Sequence, residues 1–338
     1  MVSCRIRLAR NIEGFTFVSR LESDQATELC DRLRDILDEE AIDGETIWVE
    51  IPDAPVVLRL CLRERHLASR DLAPSSGTPR EQLGRAVAFG ETETTSVMVN
   101  EEDHLRLQGF SAGFDPDLAW QRVHDLDRAL EDKVEFSFTR KLGYLTGCPT
   151  NVGTGMRASV MLHLPCLGMV RSELEKVFAA AQRTGLAVRG MYGEGSRAAG
   201  DFYQVSNQVT LGRSEAQLIG DLKALVPAVV QYERRVRELL QEEQPTALRD
   251  RVMRSYGMLR TARAMPTEVA LSHLSNVRLG ACIGLLEGVE YEPVTQLAVQ
   301  IQKGHVQALS EDRFDSPLLD ASERDRLRAT ILRQRFGQ

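Results

Sequence analysis

No apolar run in this 338-residue chain approaches the ~20 residues needed to cross a bilayer, and its first residues lack the apolar core of a secretion signal. A membrane protein is therefore not expected, and the expected location is cytoplasmic. Cysteine is sparse and scattered. The six (Cys4, Cys30, Cys61, Cys148, Cys166 and Cys282) contain no C-x-x-C pair, which argues against both a zinc ribbon and a disulfide framework. Lysine is scarcer still: five of the 42 basic residues are lysine (133, 141, 176, 223 and 303), and the other 37 are arginine. The net charge of −7 argues against general nucleic-acid binding, which needs a positive field. Two nucleotide signatures are also missing. There is no G-x-x-x-x-G-K-[ST], and Gly153-x-Gly155 lacks the third glycine of a dinucleotide fingerprint. A phosphate grip would have to come from dispersed arginines, which bind oxygens bidentately and keep their proton.

The length exceeds that of a single core, so two domains are expected. The informative stretch runs from Val97 to Gln108. Alternating apolar residues (Val97, Val99, then Leu105, Leu107) flank Asn100-Glu101-Glu102-Asp103, which reads as two strands joined by an acidic bend. Three adjacent carboxylates at one sheet end repel unless arginines, a metal ion or a cationic substrate hold them. Arg106 lies on the second strand. An exposed polar turn is the competing reading.

Ser3 to Arg10 also alternates, which puts Arg5 and Arg7 on one face of a strand and Ile6 and Leu8 on the other; a half-exposed edge strand would explain this. The apolar stripe over Ser23 to Leu37 predicts a helix. Ile47–Ile51 and Val56–Leu62 read as strands, and Pro74–Gly84 as a loop. His66 stands between these last two. Asp115-Pro116 marks a helix start, continued by Ala119, Val123, Leu126 and Leu130. Cys148 to Arg157 is a glycine-containing loop entering a strand that runs to Leu164. Ser172-Glu173-Leu174-Glu175 reads as a capping box. Strand-like Leu186–Tyr192 and Asp201–Leu211 flank a glycine-rich loop carrying Glu194 and Arg197. From Ser214 the pattern is helical, with Pro227 as a kink and Pro266 as a break. The expected division is a mixed catalytic domain over 1–240 and a helical domain over 241–338.

Four blocks occur in order: Ser3-Cys4-Arg5-Ile6-Arg7, Asn100-Glu101-Glu102-Asp103-His104-Leu105-Arg106, Cys148-Pro149-Thr150-Asn151-x-Gly153-Thr154-Gly155-x-Arg157, and Ser206-Asn207. Together they resemble the ATP:guanido phosphotransferases. The helical C-terminal part with Arg324-Asp325-Arg326-Leu327-Arg328-Ala329, and the loop Tyr192-Gly193-Glu194-Gly195-Ser196, resemble the bacterial protein-arginine kinase branch. That resemblance implies an α+β fold, an antiparallel sheet flanked by helices and followed by an all-helical domain.

It also implies ATP and Mg²⁺, with Arg5, Arg7, Arg106 and Arg157 on the phosphates and His66 near the adenine. Glu102 and Glu194 would hold the acceptor guanidinium beside Cys148, and Arg324, Asp325 and Arg328 would form an allosteric phosphoarginine site. The implied partners are protein substrates with exposed arginines, a Clp-type protease, an activator protein and further copies of the chain. The chemistry wants these residue types: phosphoryl transfer depends on positioned cations, and a guanidinium becomes nucleophilic only as a carboxylate takes its proton. Two features depart from the family. Fewer residues precede the Ser-x-Arg-x-Arg strand than the branch usually has, and Arg197 stands where its loop has Glu. A catalytically silent phosphoarginine-binding adaptor and a small-molecule guanidino kinase remain as alternatives.

Overall fold

Alternation of apolar and polar residues sends successive side chains to opposite faces, and here one sheet face is apolar while the other carries an arginine cluster beside a smaller apolar core of Val87, Phe89 and Met98. The computed structural model describes residues 2–40, 42–75, 83–190, 199–311, 314 and 317–337. Its strands are β1 (Ser3–Arg10), β2 (Thr46–Glu50), β3 (Ala86–Gly90), β4 (Thr95–Val99), β5 (Leu105–Ala112), β6 (Phe138–Thr139), β7 (Gly143–Tyr144), β8 (Met156–His163), β9 (Leu186–Gly190) and β10 (Phe202–Asn207). β6 and β7 form a separate two-stranded sheet. The other eight form one sheet in the order β2-β3-β4-β5-β1-β8-β10-β9, every pairing antiparallel. The fold is α+β, as expected.

The helices are α1 (Ser23–Glu40), α2 (Val56–Glu64), α3 (Pro116–Glu131), α4 (Pro165–Met169), α5 (Arg171–Arg183), α6 (Glu215–Glu243), α7 (Pro245–Thr261), α8 (Thr267–Cys282), α9 (Tyr291–Gln300), α10 (Lys303–Glu311) and α11 (Ala321–Phe336). The apolar sheet face (Ile6, Leu8, Leu107, Val160) packs against Leu29 of α1, Val123 of α3, Leu174 of α5 and Leu222 of α6. A second core joins Val252, Leu274, Leu297 and Leu332 of α7, α8, α9 and α11, and reaches back to Phe202 at the start of β10. No described helix is long and apolar enough to cross a membrane.

Three local expectations are corrected. Val56–Leu62 belongs to helix α2 and is not a strand. Pro55 precedes its first turn, and Val57, Arg59, Leu60, Cys61 and Leu62 are all buried, so a short buried apolar segment carried no decisive period. Ser172 caps nothing, because α5 already begins at Arg171 after Val170, and Glu173 instead accepts from Lys176 and from Tyr232. β1 is not an edge strand; it lies between β5 and β8. Other signals hold. Asp115 caps α3 by accepting from Leu118 N at 2.9 Å, and the helical pattern expected from Ser214 begins with α6, behind a capping box of Ser214 and Gln217; Pro227 lies inside that helix.

The end of β1 is fastened by a buried ion pair that no local pattern announces. Arg10 Nε and Nη2 donate to the two carboxylate oxygens of Asp127 on α3 at 2.9 and 2.8 Å, while Nη1 donates to the carbonyls of Ala9 and Thr154. The guanidinium also lies 3.5 Å from the Tyr144 ring centre. Removing one partner of such a pair strands the other charge in the interior. Asp127→Ala should therefore destabilise the protein by roughly 3–5 kcal/mol in denaturant unfolding; a loss below about 1 kcal/mol would mean that Arg10 finds water without the carboxylate.

Candidate active site

The β1 to β8 register sets Arg7 directly opposite Arg157, and the β1 to β5 register sets Ala9 opposite Arg106. Residues opposite one another in an antiparallel pair share a face, and so do residues two apart on a strand. Arg5, Arg7, Arg106 and Arg157 therefore converge on the cationic face although up to 152 positions separate them. Their mutual repulsion is visible in their acidity. Burial first, then Arg157 and Arg106, bring Arg5 down to about 10. Burial followed by Arg5, Arg106 and Arg157 brings Arg7 well below its ordinary value, opposed only by Glu101. Among the described residues no carboxylate pairs with Arg5 or Arg7, and Arg7 Nε is buried without a partner. Arg157 Nη2 donates to Ser206 Oγ at 3.1 Å, and Asn207 pins the same strand by accepting from Ala158 N at 2.8 Å.

The acidic bend places its three carboxylates in three environments. Asn100 turns the chain with φ of 52° and donates to the carbonyls of Ala26 and Gly84. Glu101 points inward, takes Arg106 Nη1 at 2.6 Å and is bonded by Ser69 Oγ. Asp103 is fully buried and accepts from Asn11 Nδ2 at 2.7 Å and Gly147 N at 2.5 Å; burial raises its pKa. It ties the bend to the loop that carries Cys148. Glu102 alone stays open to solvent, its side chain 43% exposed and bonded to Arg106 Nη2 at 2.5 Å. His104 is structural, accepting from Ile12 N at Nδ1 and contacting Thr16 O through Nε2.

Glu102, Arg7, Arg106, Cys148, Asn151 and Arg157 line one cavity of about 230 Å³. Cys148 is half-buried, with Sγ 3.0 Å from Thr150 Oγ1. The loop can lie this close to β1 because Gly155, at φ of 64°, has no Cβ; one would sit 2.6 Å from Ala9 O and 2.7 Å from Arg10 Nη1. Arg5 and His66 line an adjoining cavity of about 410 Å³. Burial, then Arg5 and Arg7, bring the His66 imidazole down to about 4, so it is neutral at physiological pH. Such an arrangement can bind a polyanion against the arginines and offer one carboxylate and one thiol to a neighbouring cationic group.

Other expected residues lie elsewhere. Arg324, Asp325 and Arg328 are on α11. Arg328 is 1% exposed, with Nε donating to Ile301 O at 2.7 Å and Nη1 to Met265 O at 2.8 Å and Asp325 Oδ1 at 2.6 Å. Arg324 is half-buried and donates to Leu319 O; it lies close enough to Lys303, with Arg63, to lower that lysine's pKa after burial has done so. Glu194 and Arg197 fall in 191–198, outside the described residues. Asn11 and Ser69 were missed by sequence reading; only their approach to Asp103 and Glu101 reveals them.

The pattern described as ATP:guanido phosphotransferase, C-terminal catalytic domain, matches residues 45–236, and the one described as Protein-arginine kinase McsB C-terminal domain matches residues 245–338. The chain belongs to the ATP:guanido phosphotransferase family. Relatives named protein-arginine kinase include those of Halothermothrix orenii (40% identical over 100% of this chain and 93% of its own), Moorella thermoacetica (41%, over 99% and 93%) and Bacillus subtilis strain 168 (37%, over 99% and 90%). Among solved structures, lombricine kinase superposes with a TM-score of 0.60 at 24% identity, over 69% of this chain and 66% of that one, a likeness of fold. A duplicated taurocyamine kinase from Schistosoma mansoni gives 0.60 at 25%, over 77% and 39%.

For this family member the arginine cluster makes a quantitative expectation. Arg5→Ala, Arg7→Ala and Arg157→Ala should each weaken tripolyphosphate binding by roughly 1.5–3 kcal/mol in calorimetry, the range for hydrogen bonds to charged groups. Arg106→Ala should also lower the melting temperature, because Glu101 would be left buried and unpaired. Wild-type affinity in all four would mean that the cluster is not an anion site.

Proposed function

We propose that the protein is a protein-arginine kinase, transferring the γ-phosphoryl group of ATP to arginine side chains of proteins. The observation that carries this reading is the convergence of Arg7, Arg106 and Arg157 on the cavity that holds Glu102 and Cys148, with Arg5 on the same strand face as Arg7 and lining the adjoining cavity. In this reading the arginines hold the triphosphate in line and stabilise the charge that spreads over the transferring oxygens. An acceptor nitrogen attacks the γ-phosphorus, the bond from phosphorus to the β,γ-bridging oxygen breaks, and ADP leaves with that electron pair. Glu102 aligns the planar acceptor by hydrogen bonds and takes the proton lost in the attack. Glu194 is proposed as the second carboxylate on the strength of the family loop, and Cys148 as the neighbour of the acceptor.

Mg²⁺ fits as an ion brought by the nucleotide. Glu101 and Asp103 are occupied by protein donors, so of the described bend only Glu102 faces the cavity, and phosphate oxygens and water would complete the shell. When bound, it would neutralise charge between the β- and γ-phosphates. The chain would act as a catalytic unit to about residue 240 and a regulatory, phosphoarginine-binding unit over 241–338, at Arg324, Asp325 and Arg328. Arg324 and Asp325 carry the accessible part of that motif, with Lys303 and Arg63 close enough to add positive charge. Marked proteins would pass to a Clp-type protease in the cytoplasm; an activator protein and self-association belong to the same proposal. A small-molecule acceptor is less favoured, because protein-arginine kinases match at 37–41% identity along nearly the whole chain while lombricine kinase shares 24%.

Incubation with ATP, Mg²⁺ and an unfolded arginine-rich protein, with phosphate mapped under non-acidic conditions, should give phosphoarginine. Phosphate on free arginine alone would point to a small-molecule kinase, and no transfer to a silent adaptor. Glu102→Gln should keep ATP binding and lower turnover roughly 10²–10⁴-fold, as for loss of a positioned base; unchanged turnover would reduce the acidic bend to a polar turn. Arg324→Ala should remove phosphoarginine binding from the full chain while leaving ATP affinity unchanged; retained binding would exclude the α11 site.

A further inference from the structure

We infer that helix α9 of the C-terminal part completes the nucleotide site, with Ala298 and Val299 forming one wall of the space that receives the base. This rests on the kinase reading. The 410 Å³ cavity adjoins the arginine cluster through Arg5, which shares the face of β1 with Arg7. A triphosphate held by the four arginines must direct its nucleoside past one end of the cluster, and this cavity, of a size suited to a small ligand, lies there. Phe110, Met161 and Phe202 give it apolar surface from the sheet, which suits a planar base. The facing side is Thr295, Ala298 and Val299 of α9.

Two locks hold α9 and its neighbour in place. One is a buried chain of hydrogen bonds from the sheet to α9. Ser275 Oγ donates to Asp201 Oδ2 at 2.6 Å, which commits its proton, so His163 Nε2 donates to Ser275 at 2.9 Å and His163 Nδ1 accepts from Arg278 Nη1 at 2.8 Å. Arg278 Nε then donates to Thr295 Oγ1 at 2.8 Å, on the cavity wall. The other lock joins α10 to α2. Glu64 accepts from the first-turn amides Gly304 N and His305 N at 2.8 and 3.0 Å, and from His305 Nδ1 at 2.7 Å. His305 Nε2 accepts from Arg65 Nε at 3.1 Å, and Arg65 and His66 line the cavity.

The fit between the two helices is close. A Cβ on Gly304 would lie 2.7 Å from Leu60 Cβ and 3.0 Å from Cys61 N. Cys61, Glu64 and His305 are near enough to share an ion, but both ring nitrogens of His305 are already committed, so the trio is a fastening. With the helices held on both sides, the wall is part of the resting site.

Calorimetry on the full chain with ATP and with inorganic tripolyphosphate tests this. Val299 is half-buried, so Val299→Phe can project into the cavity without rebuilding the core; Ala298→Leu fills the same space from a buried position. Both, checked for an unchanged melting temperature, should bind ATP at least about tenfold more weakly, a difference of roughly 1.4 kcal/mol. Tripolyphosphate affinity should stay within about twofold, well under that tenfold step, and KM for ATP should rise while kcat at saturation is kept. Unchanged ATP affinity in folded Val299→Phe, or an equal fall for both ligands, would overturn the inference. Failure of the wild type to bind either ligand would overturn the kinase reading itself.

Discussion

Four guanidinium groups on one face of a sheet repel one another, and most of the structure around the site serves to hold them there. The antiparallel register opposes Arg7 to Arg157, so separation along the chain gives no relief. Arg106 is neutralised by Glu101 and Glu102, while Arg5 and Arg7 have their pKa lowered by burial and by their neighbours. Such a cluster suits an anion, whose arrival would remove a standing repulsion. Arginine is the side chain that suits this position. A lysine under the same burial and the same neighbours would readily lose its proton, and with it the charge.

Holding such a cluster requires that its strands be interior. β1 is flanked on both sides, its apolar residues face α3 and the α6 side of the core, and its last residue is fastened by the Arg10 to Asp127 pair. The acidic bend solves the complementary problem of placing one solvent-open carboxylate next to cations. Glu101 is spent on Arg106 and Asp103 on the backbone and amide of neighbouring loops, which leaves Glu102 alone facing the cavity. Three identical-looking acids take three different sets of partners.

The C-terminal helices are not a detached appendage. Their core includes Phe202 from the catalytic sheet, and a buried hydrogen-bond chain runs from Asp201 and His163 through α8 to Thr295. Buried polar chains of this kind are costly when broken and so favour a single docking geometry. A change at α11 therefore has a packed route toward the cavity, through Arg328 and its bond to the Ile301 carbonyl at the end of α9. The same packing limits what Arg328 can do directly, because two backbone carbonyls and Asp325 already hold it.

Local pattern alone determined the strands around the acidic bend, the two faces of β1, the Asp115 cap of α3 and the helical character after Ser214. Each follows from a period of two or 3.6 residues or from a cap that acts within one turn. The motif blocks also single out Arg5, Arg7, Arg106, Arg157 and Glu102, which the sheet register and the acidic bend bring to two adjoining cavities. Tertiary structure alone decided which partner each polar group takes. Val56–Leu62 is buried as a helix because a short apolar run has no period to read, and Arg328 is a core residue although spacing presents it like Arg324. Asn11 reaches Asp103 across 92 positions and Arg10 reaches Asp127 across 117. Hydrogen bonds and ion pairs of that span depend on how the sheet and helices pack, and no window of neighbouring residues contains that information.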